Sequence, residues 1–274
     1  MTVSSEVVQT RRARPLVPRL RTGWSDGLVR WLIPVLLLAV WQLASSLGWL
    51  NARVLPAPGA VLTAFWTLIQ NGQLEGHFLA SLKRAAVGVA IGAGLGFSVG
   101  IVNGTLRLPY LLTDSSIQMI RTVPSLALIP LVIVWFGIGE AGKIFLIALA
   151  TFFPVYINTL HGVRGIDPRL LEMGRVYGVK PAEQFRRIVL PGALPSVLVG
   201  LRYALGISWL ALVVSESFGA SQGIGFLAMD AREFFRTDII VLAIVIYALI
   251  GKAADSLVRV LEHRWLPWRT GGQA

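Results

Sequence analysis

The stretch LLEMGRVYGVKPAEQFRRIVLP, residues 170–191, is a charged, proline-punctuated island in a chain whose other long stretches are mostly apolar. Just upstream, Asp167-Pro168 is a helix start: Asp caps free N–H groups, and Pro suits a first turn whose N–H lacks a partner anyway. The helix is expected to run to Tyr177, with Gly178 as its left-handed stop. A second start follows at Pro181, with Glu183 near the positive end and Arg186 and Arg187 near the negative end, closing before Leu190-Pro191. The spacing predicts two short helices set at an angle. Leu170, Leu171, Val176, Tyr177, Phe185 and Ile188 give them apolar faces.

The chain around this island has 274 residues, 55% hydrophobic and 14% charged. A soluble domain carries about 25% charged residues, and a soluble core of this length cannot bury so much apolar surface. Lipid can solvate it, since several runs approach the roughly 20 apolar residues that cross a bilayer as a helix. Spans are expected at about 29–48, 82–104, 117–136, 142–161, 193–216 and 238–259. The fold class is therefore an all-α membrane protein with six transmembrane helices. The organisation is a cytoplasmic tail at 1–27, a first span with an outer interfacial segment at 28–76, a core at 77–261 containing the island loop at 165–191, and a C-terminal tail at 262–274.

The formal net charge is +11, but the cations cluster at the ends of apolar runs, as topology signals do, instead of forming a basic face for nucleic acid. Arg11, Arg12, Arg14, Arg19 and Arg21 lie in the first tail, which lacks apolar periodicity. Six crossings starting inside put that tail, Arg107, the island, and Arg259, Arg264 and Arg269 in the cytoplasm. The absence of cysteine excludes disulfides, Cys-ligated metals and thiol nucleophiles. His77, His161 and His263 lie far apart in sequence and belong to no metal or hydrolytic signature, so neither a catalytic residue nor a metal site is expected. The first apolar run follows about thirty mostly polar and basic residues, too long for a signal-peptide n-region, and reads as an uncleaved span.

Two glycine patterns imitate nucleotide sites. GIGEAGKI, residues 137–144, has the spacing of a phosphate loop, yet Ile144 stands where Ser or Thr should hold magnesium. GAGLG, residues 92–96, lacks the third spaced glycine of a dinucleotide fingerprint. The stripe Gly88, Gly92, Gly96, Gly100 and Gly104 instead lays a side-chain-free groove along one face of the second span, where another helix can approach closely. PAPGAVLTAFWTLIQNG, residues 56–72, reads as either an interfacial helix or a packed loop, and residues 219–237 read as a gated or re-entrant outer loop.

Glu172, Gly178, Ile188 and Leu190-Pro191 fit E-x5-G-x9-I-x-L-P. The pattern resembles the EAA loop of ATP-binding cassette (ABC) importer permeases, with Met173 and Gly174 in place of the family's two alanines. Stretches such as SIQMIRTVPSLALIPLVIVWFGIGEAGKIFLIAL and LPGALPSVLVGLRYALGISWL extend the likeness over nearly the whole chain after the tail, to the nitrate, sulfonate and taurine class.

The resemblance implies a type I ABC importer transmembrane-domain fold with a cytoplasmic coupling helix, in the bacterial cytoplasmic membrane. It implies a second copy of the chain, two cytoplasmic ATPase subunits that hold the ATP and Mg, no cofactor in the chain itself, and an extracytoplasmic solute-binding protein. The expected solute is an aliphatic sulfonate, with taurine, nitrate, bicarbonate or a thiamine precursor as alternatives. Leu170, Glu172, Met173, Gly174, Tyr177, Gly178, Phe185, Ile188, Leu190 and Pro191 become the ATPase-coupling residues.

Pathway candidates follow from intramembrane chemistry. Pro124 and Pro130 suit either a pathway wall or a structural kink. Arg121 and Arg202 are costly in the membrane unless they face protein, water or an anion. Arg202 lies roughly 16 Å past Pro191 along a helix, so snorkelling to the cytoplasm is its other reading. Ser208, Trp209, Ser215 and Glu216 continue that span outward; Trp209 also suits a lipid-facing anchor. Glu216 would repel an anion and is expected to pair with a basic residue of the outer loop or to belong to a gate.

Overall fold

A computed structural model of the protein describes residues 24–266, and everything regular among the described residues is helical. The expected tail therefore lies outside the described residues except for 24–27, which open the first helix. Residues 267–274 also lie outside them, while 262–265, expected as tail, continue the last helix.

Helix α1 (Trp24–Ser46) carries Pro34 and is joined by a turn to α2 (Pro58–Gln70), which has Pro at its start. Contact between the two includes Gly59 N–H donating to Gln42 Oε1 at 3.2 Å. From Leu32 onward most large apolar side chains of α1 are exposed, as on a helix whose solvent is lipid. The segment around 56–72 is thus a helix and not a loop. Its buried Val61, Ala64 and Leu68 form one apolar cluster with α10 (Ile224–Glu233) and α11 (Thr237–Trp265).

The second span is α3 (Gln73–Thr105) and the fourth is α6 (Glu140–Arg164). They pack along the glycine stripe. A Cβ at Gly88 would sit 2.6 Å from Ile147 Cβ, one at Gly96 2.5 Å from the Phe152 carbonyl oxygen, and those at Gly100 and Gly104 2.7 Å from Thr159 and Val163 Cβ. At Gly92 it would overlap the Ala148 carbonyl. Where lipid replaces water, such contact supplies the dispersion energy that hydrophobicity no longer provides. On its other side α6 meets α9 (Leu190–Glu216) through Gly200, where a Cβ would lie 2.7 Å from Asn158 Cβ, and Gly162, 2.9 Å from the Ala193 carbonyl.

Two expectations are corrected. The third span, 117–136, is not one helix: α4 (Arg107–Arg121) stops, a turn follows, a 3-10 turn occupies Ser125–Leu128, and α5 (Ile129–Phe136) completes the passage. Pro124 is the physical reason, because its ring disfavours helical geometry at Val123, while Pro130 sits harmlessly in the first turn of α5.

The island is also not two short helices. Only α7 (Pro168–Val176) is separate; α8 (Pro181–Gln184) runs through a π-helical turn at Phe185–Val189 straight into α9, one helix from Pro181 to Glu216. The expected stop at Leu190-Pro191 is absorbed there. The widened turn lets Leu190 N–H bond Phe185 O, a register in which the missing N–H of Pro191 is tolerated.

By length and composition four helices among the described residues can cross a membrane: α3, α6, the Pro181–Glu216 helix and α11. Helix α1 packs on α2, α4 on α3, and α5 on α6. Helix α10 lies at one end of it and α7 at the other.

Candidate functional site

At the α7 end, Asp167 accepts a hydrogen bond from Arg169 N–H at 2.9 Å, so the cap read from the sequence is present. Gly178 has φ +70°, the left-handed geometry that lets α7 turn back onto α8. A Cβ on Gly174 would lie 3.3 Å from both Gln184 and Ile188, which identifies the position where the hairpin needs a small residue. Met173 points outward and half-exposed, so its bulk crowds nothing in this chain.

Leu171 and Phe185 pack inward with Val163, Val189 and Ala193, tying the hairpin to α6 and α9. Leu170, Val176 and Tyr177 face outward; the last two are 85% and 79% exposed. Glu172 is exposed. Leu190 and Pro191 lie half-buried inside the long helix and belong to its shaft. The result is a projecting apolar knob on a rigid base, fit to dock into another protein.

At the α10 end sits an ionic cluster, buried except for Glu140, that the sequence reading located only through Glu216. The expected partner was a basic residue of the 219–237 segment; the actual partner is Arg84 of α3. Arg84 forks onto Glu140 at 2.6 and 2.7 Å, and its Nη1 donates to Glu216 at 2.7 Å and to the Gln222 carbonyl at 2.6 Å. Glu216 is 1% and Arg84 5% exposed.

Ser81 hydroxyl lies 2.7 Å from Glu216 and accepts from Ile224 N–H at 2.8 Å, while Gly225 N–H donates to Glu216 at 2.8 Å and Gly223 N–H to His77 Nδ1 at 3.1 Å. The first amides of α10, which no helix can satisfy internally, are thus capped from α3 and α9. Lys143 bonds Glu140 and the Gly219 carbonyl, both at 3.3 Å. Two cations face two carboxylates, so this site clasps helices and leaves no surplus charge. The phosphate-loop look-alike resolves here: its Glu140 and Lys143 are members of the clasp.

The remaining pathway candidates separate. Ser208 and Ser215 are buried and donate to the carbonyls of Leu205 and Leu212 in their own helix. Trp209, partly buried, packs against the cluster of Ala85, Ile147 and Leu212. Arg202 is held by α11, 2.7 Å from Glu262 and 3.4 Å from Asp255. Yet Arg121 and Arg202 do share one cleft of 670 Å³, which also takes in Ser125, Pro154, Asn158 and Tyr203. Pro124 lies in the break at its edge, and Pro130 lines none of it.

Arg84 carried a readable signal. It lies four residues before Gly88, in register with the stripe, and an intramembrane cation in that position must meet a partner on the facing helices. A second polar clasp gave less warning. Asn103 donates to Thr113 at 2.8 Å and to Tyr156 at 2.9 Å, Tyr156 donates to Asp114 at 2.7 Å, and Arg164 lies over the Tyr110 ring. It fastens α4, none of whose residues is buried, to α3 and α6.

Residues 88–267 match the family described as "Binding-protein-dependent transport system inner membrane component". The chain is 54% identical over 245 residues, 89% of its length and 93% of the relative's, to the aliphatic sulfonates transport permease protein SsuC of Escherichia coli K12. It is 48% identical over 251 residues, 92% and 90% of the two chains, to the protein of that name in Bacillus subtilis 168. A solved amino acid ABC transporter superposes with a TM-score of 0.60 at 18% identity, covering 73% of this chain and 97% of that one, a likeness of fold alone.

Proposed function

The chain belongs to the family of binding-protein-dependent transport system inner membrane components, and from that premise we propose that it passes aliphatic sulfonates through the cytoplasmic membrane. It is an ABC importer permease, a multi-pass transport subunit that works with a separate ATPase and a binding protein. Within that frame, two copies pair, α7 and both chain termini lie in the cytoplasm, and α10 lies on the outer side, facing the binding protein. ATP and Mg are held by the ATPase, and the permease carries no cofactor of its own.

Helix α7 is the ATPase contact, with Leu170, Met173, Val176 and Tyr177 as the docking knob and Glu172 at its polar edge. Gly174, Gly178, Phe185 and Ile188 fix the angle of that knob, and Leu190 and Pro191 join it to the span. Movement of the knob is carried along the Pro181–Glu216 helix to the clasp at its far end, which closes one side of the bilayer as the other opens.

The observation that carries the sulfonate reading is the 54% identity to a sulfonate permease over nearly the full length of both chains. Growth of a deletion strain on single sulfur and nitrogen sources tests it. Loss confined to alkanesulfonates, restored by this gene, supports the assignment; normal growth on alkanesulfonates with failure on nitrate overturns it.

A further inference from the structure

We propose that the cleft beside the broken helix is an anion-binding station on the solute path, in which Arg121 supplies the uncompensated positive charge; this rests on the importer reading above. The cleft is largely apolar, and its charged lining is two guanidinium groups with no carboxylate. Their charges differ in status. Arg202 is neutralised by Asp255 and Glu262, while Arg121 has no acidic partner among the described residues.

Counting along α4 puts Arg121 roughly 21 Å from the α7 end of the bundle, and counting along α9 puts Arg202 roughly 18 Å past Leu190, so both lie at membrane depth. A free guanidinium there is expensive against lipid and becomes cheap only beside water or an anion. The backbone is compatible with this. Residues 122–124 are non-helical and 125–128 form a 3-10 turn, and such backbone at this depth is tolerated where it is buried in protein or lines a water-filled cavity.

Transporters commonly build solute sites at such discontinuous helices. Ser125 and Tyr203 add hydroxyls to the lining, and the 670 Å³ volume admits a small organic anion with part of its hydration shell. A sulfonate presents three acceptor oxygens sharing one negative charge. One guanidinium fork can bind two of them without fixing the alkyl tail.

The test uses the complete complex of permease, ATPase and binding protein in proteoliposomes, reading ATP-driven uptake of radiolabelled ethanesulfonate. Arg121→Gln should lower uptake at subsaturating solute by about tenfold or more, the size expected for one charged hydrogen bond, with the complex purifying intact. Arg121→Lys, which keeps the charge but not the fork, should restore part of it.

Unchanged uptake in Arg121→Gln overturns the station, and so does failure of Arg121→Lys to recover more than Arg121→Gln. Wild-type vesicles that ignore ethanesulfonate but take up nitrate overturn the sulfonate assignment alone. The same two variants then test the cleft with nitrate as the probe, and equal nitrate uptake by all three proteins overturns it.

Discussion

Glu216 and Arg84 are buried charges, and their weight lies in what either would cost alone. Glu216→Gln leaves Arg84 its fork on Glu140, so the expected loss is about 2 kcal/mol, below the roughly 3–5 kcal/mol of a fully orphaned buried ion. Arg84→Met strands Glu216 beside a helix start and should cost the larger amount. The double variant Arg84→Met with Glu216→Leu should lose less than the two singles summed, as thermal unfolding of the detergent-purified protein would show; strict additivity contradicts the clasp. The sequence pointed Glu216 to a basic residue of the outer loop or to a gate, and its partner is instead Arg84 of α3, because pairing depends on which helices are neighbours. Arg84 was legible only through its register with Gly88, and Ser81 and His77 not at all, since a hydroxyl and an imidazole near a span end have many ordinary uses.

Helix α3 owes its place to glycines that differ only in the face they occupy. Gly92→Ala should prevent close docking of α3 on α6 and sharply reduce the amount of folded protein in membranes, whereas Gly94→Ala, whose Cβ would meet nothing within 4 Å, should be tolerated; immunoblotting of membrane fractions separates them. Gly178 poses a different problem: nothing lies near a Cβ there, but φ is +70°. Gly178→Ala should therefore cost about 1–2 kcal/mol of local strain and loosen the α7 hairpin. ATPase recovered in a pull-down on the permease should fall, while Gly178→Asn, which tolerates that geometry better, should retain more. Four-residue spacing made the stripe readable, and the Asp167 cap and Gly178 stop were likewise plain from residue type. The break at Pro124 and the continuity through Pro191 were not, because both prolines look like the same breaker. Only the neighbouring turns decide whether the chain unwinds or widens by one hydrogen-bond register.

The assembled bundle was readable in outline because hydropathy reports helices that must be solvated by lipid. Its handedness in the membrane has a direct test, since the natural chain has no cysteine. A single Tyr177→Cys should react with a membrane-impermeant maleimide only in inside-out vesicles and Asn71→Cys only in right-side-out ones; the reverse pattern contradicts the orientation. What hydropathy could not report is how surfaces pair, so the α4 clasp and the α9–α11 ion pairs emerge only in three dimensions. One of those surfaces has a further effect. The 36-residue helix from Pro181 to Glu216, ~54 Å long at the usual rise, has the docking hairpin at its foot and the Arg84 clasp at its head. A strut of that kind fixes the phase between its ends. On the coupling proposed above, a tilt at the foot would be felt at the head through one continuous helix, with no signal relayed between two separate gates.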